Sequence, residues 1–170
     1  EPYRPDAAQL AGRVHLRAKA GALAPLQGLA GDAVYLLHGK DDATVAPVLA
    51  SVTATVYEEL AADAGGLRLQ RDFERGFPHL LPTEGVGVDC AAGGSPWLGN
   101  CGFDAAGAMM AHLFGTPNAL RPAHASGELR RFDQSAFAAA DADPGLADAG
   151  YLYLPRACAD RGHGVRGGQT

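Results

Sequence analysis

Two segments of the chain carry residue types that could share a proton. In Tyr35 to Val45, YLLHGKDDATV, an apolar burst runs straight into glycine and a pair of acids. In Gly76-Phe77-Pro78-His79, a histidine follows an alternating stretch that ends near Glu74. A carboxylate at the end of one strand can meet an imidazole just past the end of the next on one edge of a parallel sheet, the edge along which such sheets bind ligands. The acid would accept the Nδ1–H of the histidine, fix its tautomer and stabilise the imidazolium formed on proton transfer. His79 would then act as a general base toward a hydroxyl nucleophile. The spacing Gly39-x-x-Asp42-x-x-Val45 favours Asp42 for this role. Asp41 suits an N-cap for a helix starting near Thr44. A plain turn and a solvent-exposed loop histidine would account for the same residues without any chemistry, and spacing alone leaves both readings open.

The elements that would position this pair can be read from periodicity. Ala33 to Leu37 is a short apolar run between Asp32 and Gly39, which predicts a buried strand. Thr44 to Ala62 carries Val48, Val52, Val56 and Leu60 at fourfold spacing, one face of a helix that Gly65-Gly66 ends. Leu67 to Phe73 alternates as a half-exposed strand does. Strand, helix and strand with short connections make an α/β unit. Upstream, the alanine-rich Asp6 to Ala20 predicts a helix, and downstream Asp104 to Phe114 predicts another, broken by Gly115-Thr116-Pro117. Leu129 to Phe132 and Tyr151 to Leu154 are short strand candidates, the second closed by Pro155.

Between the second strand and the Asp104 helix lies a loop of some two dozen residues, a length that usually marks function or a covalent bridge. Cys90 and Cys101 flank its Gly/Pro-rich part, CAAGGSPWLGNC, at a spacing suited to a disulfide, whereas no CxxC or Cys/His cluster favours a metal. Cys158 is left over as the odd thiol. A bridge implies an oxidising compartment, so the protein is expected to be secreted or periplasmic. Trp97, inside the bridged loop, could offer an apolar platform to a ligand or fill the loop's own small core. His38 lies on the first strand, where a satisfied core histidine is the common case. His15, His112 and His124 share no metal spacing, and Met109-Met110 suit core packing.

Composition narrows the partners. The 170 residues are 47 % hydrophobic and 19 % charged, with a net charge of −5 and no basic run longer than Arg130-Arg131. A packed core is expected, and a nucleic-acid partner or an anionic membrane surface is disfavoured. No apolar stretch approaches the roughly 18 residues needed for a membrane span. The start, EPYRPDAAQL, lacks the basic-then-apolar pattern of a leader, which would lie upstream of residue 1 if there is one.

Taken in order, GKDDATVAPV, FPHLLPT, DCAAGGSPWLGNCGFDAAGAMMAHLFG, GELRRFDQSAF and DAGYLYLPRACA resemble the poly(3-hydroxybutyrate) depolymerase family of the α/β-hydrolase fold, from about Leu23 to Asp160. The resemblance implies a partial α/β-hydrolase domain over 1–160, mostly parallel sheet with flanking helices and incomplete at both ends, followed by a Gly/Arg-rich tail at 161–170. It implies a carboxylic ester hydrolase that cleaves a hydroxyalkanoate polyester or oligomer through an acyl-enzyme, with Asp42 and His79 in the places of the triad acid and base and no cofactor. The nucleophile of such a site sits in G-x-S-x-G on a strand-to-helix turn. None of Ser51, Ser95, Ser126 and Ser135 fits that setting; Ser95 in GGSPW comes nearest, but Pro96 prevents a helix from starting there. By the resemblance, the serine would come before residue 1. His163-Gly164 corresponds only weakly to the family's oxyanion-hole segment, because no apolar strand precedes it. A non-catalytic polyester- or ligand-binding remnant, contacting its ligand through Trp97, is the rival reading; a hydrolase using the Cys158 thiol finds no support in the flanking residues.

Overall fold

Asp6 begins the first helix, α1 (Ala7–Lys19), because its Oδ1 accepts the otherwise orphaned N–H groups of Ala8 and Gln9 at 2.9 and 3.2 Å. Arg17 and Lys19 in the last turn suit the negative end of the helix. The computed structural model describes residues 5–115, 125–137 and 145–159, in two units, Glu1–Asn118 and Ala119–Thr170.

In the first unit, β1 (Ala33–Leu37) and β2 (Arg68–Asp72) pair in parallel, from Ala33 beside Arg68 to Leu37 beside Asp72. The two strands therefore end level, and the turns after them leave the sheet at the same edge. All five β1 residues are half-buried rather than buried as their run of apolar side chains predicts. The reason is that β2 is the only described strand paired with β1. Between them runs α2 (Pro47–Ala64), whose Val52 and Leu60 are buried and Val48 and Val56 half-buried, as the fourfold stripe requires. It begins at Pro47 rather than Thr44, because Asp42 to Val45 are committed to a turn and a proline is well placed at the first helical position. Gly65 ends it in the left-handed conformation (φ 91°) that favours glycine. Buried Ala11 marks the side of α1 that packs on α2.

The segment after β2 is not the plain loop its composition predicts. It holds β3 (Leu81–Thr83), β4 (Val88–Asp89) and β5 (Leu98–Asn100), a parallel sheet in the order β3-β5-β4. Strands of two or three residues are too short to show alternation, and Pro82 and Gly99 argue against strands locally. Pro82 is fully buried, and Gly87 (φ 97°) brings its Cα so close to the Leu98 carbonyl that a Cβ would lie 2.1 Å from the oxygen. Helix α3 (Ala105–Phe114) follows, with Asp104 Oδ1 accepting the Gly107 N–H at 2.9 Å as its N-cap, and packs against β1. Met109 is half-buried, but Met110 is exposed instead of packing in the core.

In the second unit, β6 (Glu128–Asp133) and β7 (Ala149–Leu154) form an antiparallel ribbon from Glu128 beside Leu154 to Asp133 beside Ala149, and β7 leads through Pro155 into the short α4 (Arg156–Ala159). Both strands run longer than their apolar cores, because ladder bonds extend across the polar ends Glu128 and Asp133. Thr116, Pro117, His124, His163, Gly164 and the tail at 161–170 lie outside the described residues. Among the described residues no helix is long and apolar enough to cross a membrane.

Candidate functional site

The turns after β1 and β2 are laced together by their backbones. His38 donates its N–H to the Asp72 carbonyl at 3.0 Å and Lys40 donates to the Arg75 carbonyl at 2.9 Å. Between these bonds Gly39 lies flat against Phe77: a Cβ there would fall 1.9 Å from the Phe77 oxygen, so only glycine fits. This seam carries Asp42 and His79 side by side.

Asp42 is 9 % exposed, and each of its carboxylate oxygens has a task. Oδ1 accepts the N–H groups of Thr44 and Val45 at 2.8 and 2.9 Å, and Oδ2 lies 2.9 Å from His79 Nδ1. Burial pushes the carboxyl toward a higher pKa, but the Val45 N–H, the His79 ring and the Thr44 N–H together outweigh it and hold Asp42 below the usual carboxylate range. The acid is therefore ionised at neutral pH, and it caps its own turn. Asp41 does not take the N-cap role that its position suggests; Ala46 occupies that place without a side-chain bond, and the Asp41 carboxylate lies beside Gly76.

His79 is 47 % exposed at its side chain. With Nδ1 committed to Asp42, Nε2 is the nitrogen left to meet a reacting group. Trp97 stands edge-on to the imidazole, with ring centroids 6.1 Å apart, and is 56 % exposed rather than folded into a loop core. Its backbone is fixed by the Leu81 N–H, which donates to the Trp97 carbonyl at 2.8 Å. Cys90 and Cys101 are joined as a disulfide that closes the loop bearing Trp97. Together these parts border a cleft of about 500 Å³, otherwise lined mainly by apolar side chains including Leu37, Val45, Phe77, Leu80, Leu81 and Met109. An apolar cleft with a few convergent polar groups is the usual form of a small-molecule site.

Two further groups at the site escape a reading of spacing alone. Asp72, at the tip of β2, accepts the Tyr35 hydroxyl at 3.0 Å and both its oxygens receive Arg75 Nε, at 3.1 and 2.8 Å, while the Arg75 guanidinium stacks 3.5 Å from the Phe103 ring centre. Burial, aided by the Asp72 carboxylate, pushes the Tyr35 hydroxyl up to about 12. The network ties the middle of β1 and the tip of β2 to Phe103, just before α3; only the Asp72/Arg75 spacing hints at it in the sequence. His38 is the other, and its ring is held by the Val45 carbonyl at 3.0 Å.

Among the described residues no serine lines the cleft. Ser51 bonds back to the Pro47 carbonyl within α2, Ser135 is held by Asp133, and Ser95 is exposed in a turn with no helix after it. His15 pairs with Asp63 at 3.2 Å and His112 bonds the Arg68 carbonyl at 2.9 Å. Cys158 is an exposed free thiol on α4 of the second unit. Among the described residues no group of three or more His, Cys, Asp or Glu is placed to hold a metal.

Comparison with known proteins supplies the context for this geometry. No protein-family model matches the chain. A poly(3-hydroxybutyrate) depolymerase of Delftia acidovorans is 32 % identical over 142 residues, 83 % of this chain and 28 % of the relative. A polyhydroxybutyrate depolymerase of Talaromyces funiculosus is 30 % identical over 144 residues, 81 % of this chain and 40 % of the relative. Among solved structures, a PHB depolymerase carrying a serine-to-alanine change and complexed with an R3HB trimer superposes with a TM-score of 0.73, and PHB depolymerase from Penicillium funiculosum with 0.71. Each is 25 % identical and covers 94 % of this chain, while the chain covers 49 % of each. The chain thus spans less than half the length of these proteins, and over the part it shares with them it is similar in sequence and in fold to poly(3-hydroxybutyrate) depolymerases.

Proposed function

We propose that the chain supplies the acid and base of a secreted ester hydrolase acting on hydroxyalkanoate polyester or its oligomers. The observation that carries this reading is the buried Asp42 carboxylate, ionised and 2.9 Å from the Nδ1 of a half-exposed histidine at the mouth of an apolar cleft. Asp42 holds His79 with its proton on Nδ1 and Nε2 directed outward as the base. A serine hydroxyl, from a part of the protein outside these 170 residues, gives its proton to Nε2 as its oxygen attacks the ester carbonyl. The imidazolium then returns that proton to the departing alkoxide, leaving the acid half of the polymer as an acyl-enzyme. Water, deprotonated by the same nitrogen, releases it as a carboxylic acid. Trp97 and the leucines of the cleft give the methylated, uncharged polyester backbone an apolar bed. The trimer bound to the matched solved structure is a ligand of that chemistry.

The triad acts as a unit, so the 170 residues alone are expected to release no 3-hydroxybutyrate from an oligomer. The coding sequence upstream is expected to carry an in-frame Gly-x-Ser-x-Gly segment; an upstream frame without one contradicts the reading. In the protein that includes that segment, turnover should fall about 10⁴-fold in His79→Ala. Turnover surviving that change removes the base assignment, and turnover lost in Ser95→Ala places the nucleophile on Ser95.

The exposure of Trp97 favours a second reading, binding of polyester without hydrolysis. It predicts retention on polyester granules that weakens in Trp97→Ala and is indifferent to Asp42→Ala.

A further inference from the structure

We infer that His38 is a positioning residue for the Asp42–His79 pair, which deepens the hydrolase reading proposed above and rests on it for its functional meaning. His38 follows β1 directly, and its side chain is 10 % exposed. Its ring Nε2 lies 3.0 Å from the Val45 carbonyl and 3.9 Å from Asp42 Oδ2. A carbonyl oxygen only accepts, so the short contact requires a proton on Nε2. At 3.9 Å the carboxylate is beyond hydrogen-bond range, so His38 reaches Asp42 chiefly through Val45.

Val45 is held from both sides. Its carbonyl takes the His38 proton, and its N–H donates to Asp42 Oδ1 at 2.9 Å. The His38 backbone N–H meanwhile donates to the Asp72 carbonyl at the end of β2. One residue thereby fixes the last turn of the β1–β2 edge and the peptide that orients the Asp42 carboxylate. Oδ2, the oxygen shared with His79, keeps its direction only while the Asp42–Val45 turn keeps its shape.

The chemistry also explains a histidine here rather than a stronger donor. A neutral imidazole donates one proton at the required reach and adds no fixed charge. A permanent cation at this distance from Oδ2 would compete with His79 for the carboxylate and make His79 more acidic. An apolar side chain of the same bulk would fill the space and leave the Val45 carbonyl without its donor.

The test reads imidazole chemistry and uses no substrate, so its failure leaves the hydrolase proposal standing, and a failure to hydrolyse ester leaves this inference standing. The pKa of His79 and the resonance of its Nδ1 proton are followed by NMR in the full chain, in His38→Gln and in His38→Phe, with thermal unfolding recorded for each. His38→Gln, whose amide N–H₂ can reach the same carbonyl, is expected to keep the His79 pKa within about 0.3 of the parent; His38→Phe is expected to lower it by about one unit and broaden the Nδ1 proton signal. Equal His79 pKa values in all three proteins, or equal shifts in both variants, overturn the inference. Should His38→Phe fail to fold, the ¹⁵N spectrum of the parent decides: a neutral Nε2–H tautomer at His38 supports the role, and an Nδ1–H tautomer overturns it.

Discussion

The two walls of the cleft are held by different physics. The wall that carries Asp42 and His79 is fastened by backbone hydrogen bonds between two strand ends and by a glycine too close to its neighbour for any side chain. The wall that carries Trp97 is built from strands of two and three residues and closed by the Cys90–Cys101 bridge. Strands this short bury little apolar area and cannot fix a loop alone. A proton relay tolerates displacements well under an ångström, so the first wall suits it. An apolar platform works over a range of positions, so a covalently closed loop is sufficient for the second. The contrast teaches that the acid–base wall should be sensitive to shape and the platform wall to redox state.

The largest effect is expected from Gly39→Ala. The added Cβ meets the Phe77 carbonyl oxygen, a backbone atom that cannot swing aside, and separates the two turns. A loss of about 4 kcal/mol or more in denaturant unfolding is predicted. A loss below about 1 kcal/mol would show that the seam can part without cost and that the first wall is not shape-limited.

Removal of the bridge comes next. Cys90→Ser with Cys101→Ser is expected to cost about 3 kcal/mol, with the Trp97 fluorescence shifting before the helices melt. Dithiothreitol should reproduce the fluorescence change in the parent. A Trp97 signal that survives bridge removal unchanged would mean that β3 and β5 suffice to hold the platform.

Asp42→Asn should cost about 2 kcal/mol at pH 7, the scale of a lost charge-assisted hydrogen bond at a buried site. The sign of the pH dependence is fixed by the direction of the shift. Asp42 sits below the usual carboxylate range when folded, so its ionised form stabilises the native state above the unfolded value of about 3.9, and this contribution disappears as pH falls through the lower folded value. The gap between parent and variant should therefore be full at neutral pH and close below about pH 4. A gap that stays constant down to pH 3 would assign the loss to packing rather than to charge.

Trp97→Ala should change stability least, by about 0.5 kcal/mol or less, because the ring is more than half exposed. A loss several times larger would return Trp97 to the loop's core.

What could be read from the sequence follows the same division. The α2 stripe, the alternation at Leu67 to Phe73 and the apolar run at Ala33 to Leu37 are local patterns, so periodicity exposes them. The placement of Asp42 and His79 on one edge follows from consecutive parallel strands. The small sheet of β3, β4 and β5 is hidden from such a reading because its stability comes from pairing residues 11 to 17 positions apart, not from any local run. The start of α2 at Pro47 rather than near Thr44 has a related reason. Asp42 spends its side chain on Thr44, Val45 and His79, and this three-way use delays the helix to Pro47. His38 reads as an ordinary core histidine until the fold brings the Val45 carbonyl to its ring.

The most direct measurement of the Asp42–His79 contact is the pKa of His79 in the parent and in Asp42→Asn, followed by NMR at constant ionic strength. An ionised acid sharing a proton with the ring predicts a His79 pKa lower by about one unit or more in the variant, with loss of the Nδ1 proton signal. An unchanged pKa and an undisturbed signal would mean that the two side chains are neighbours without being a pair.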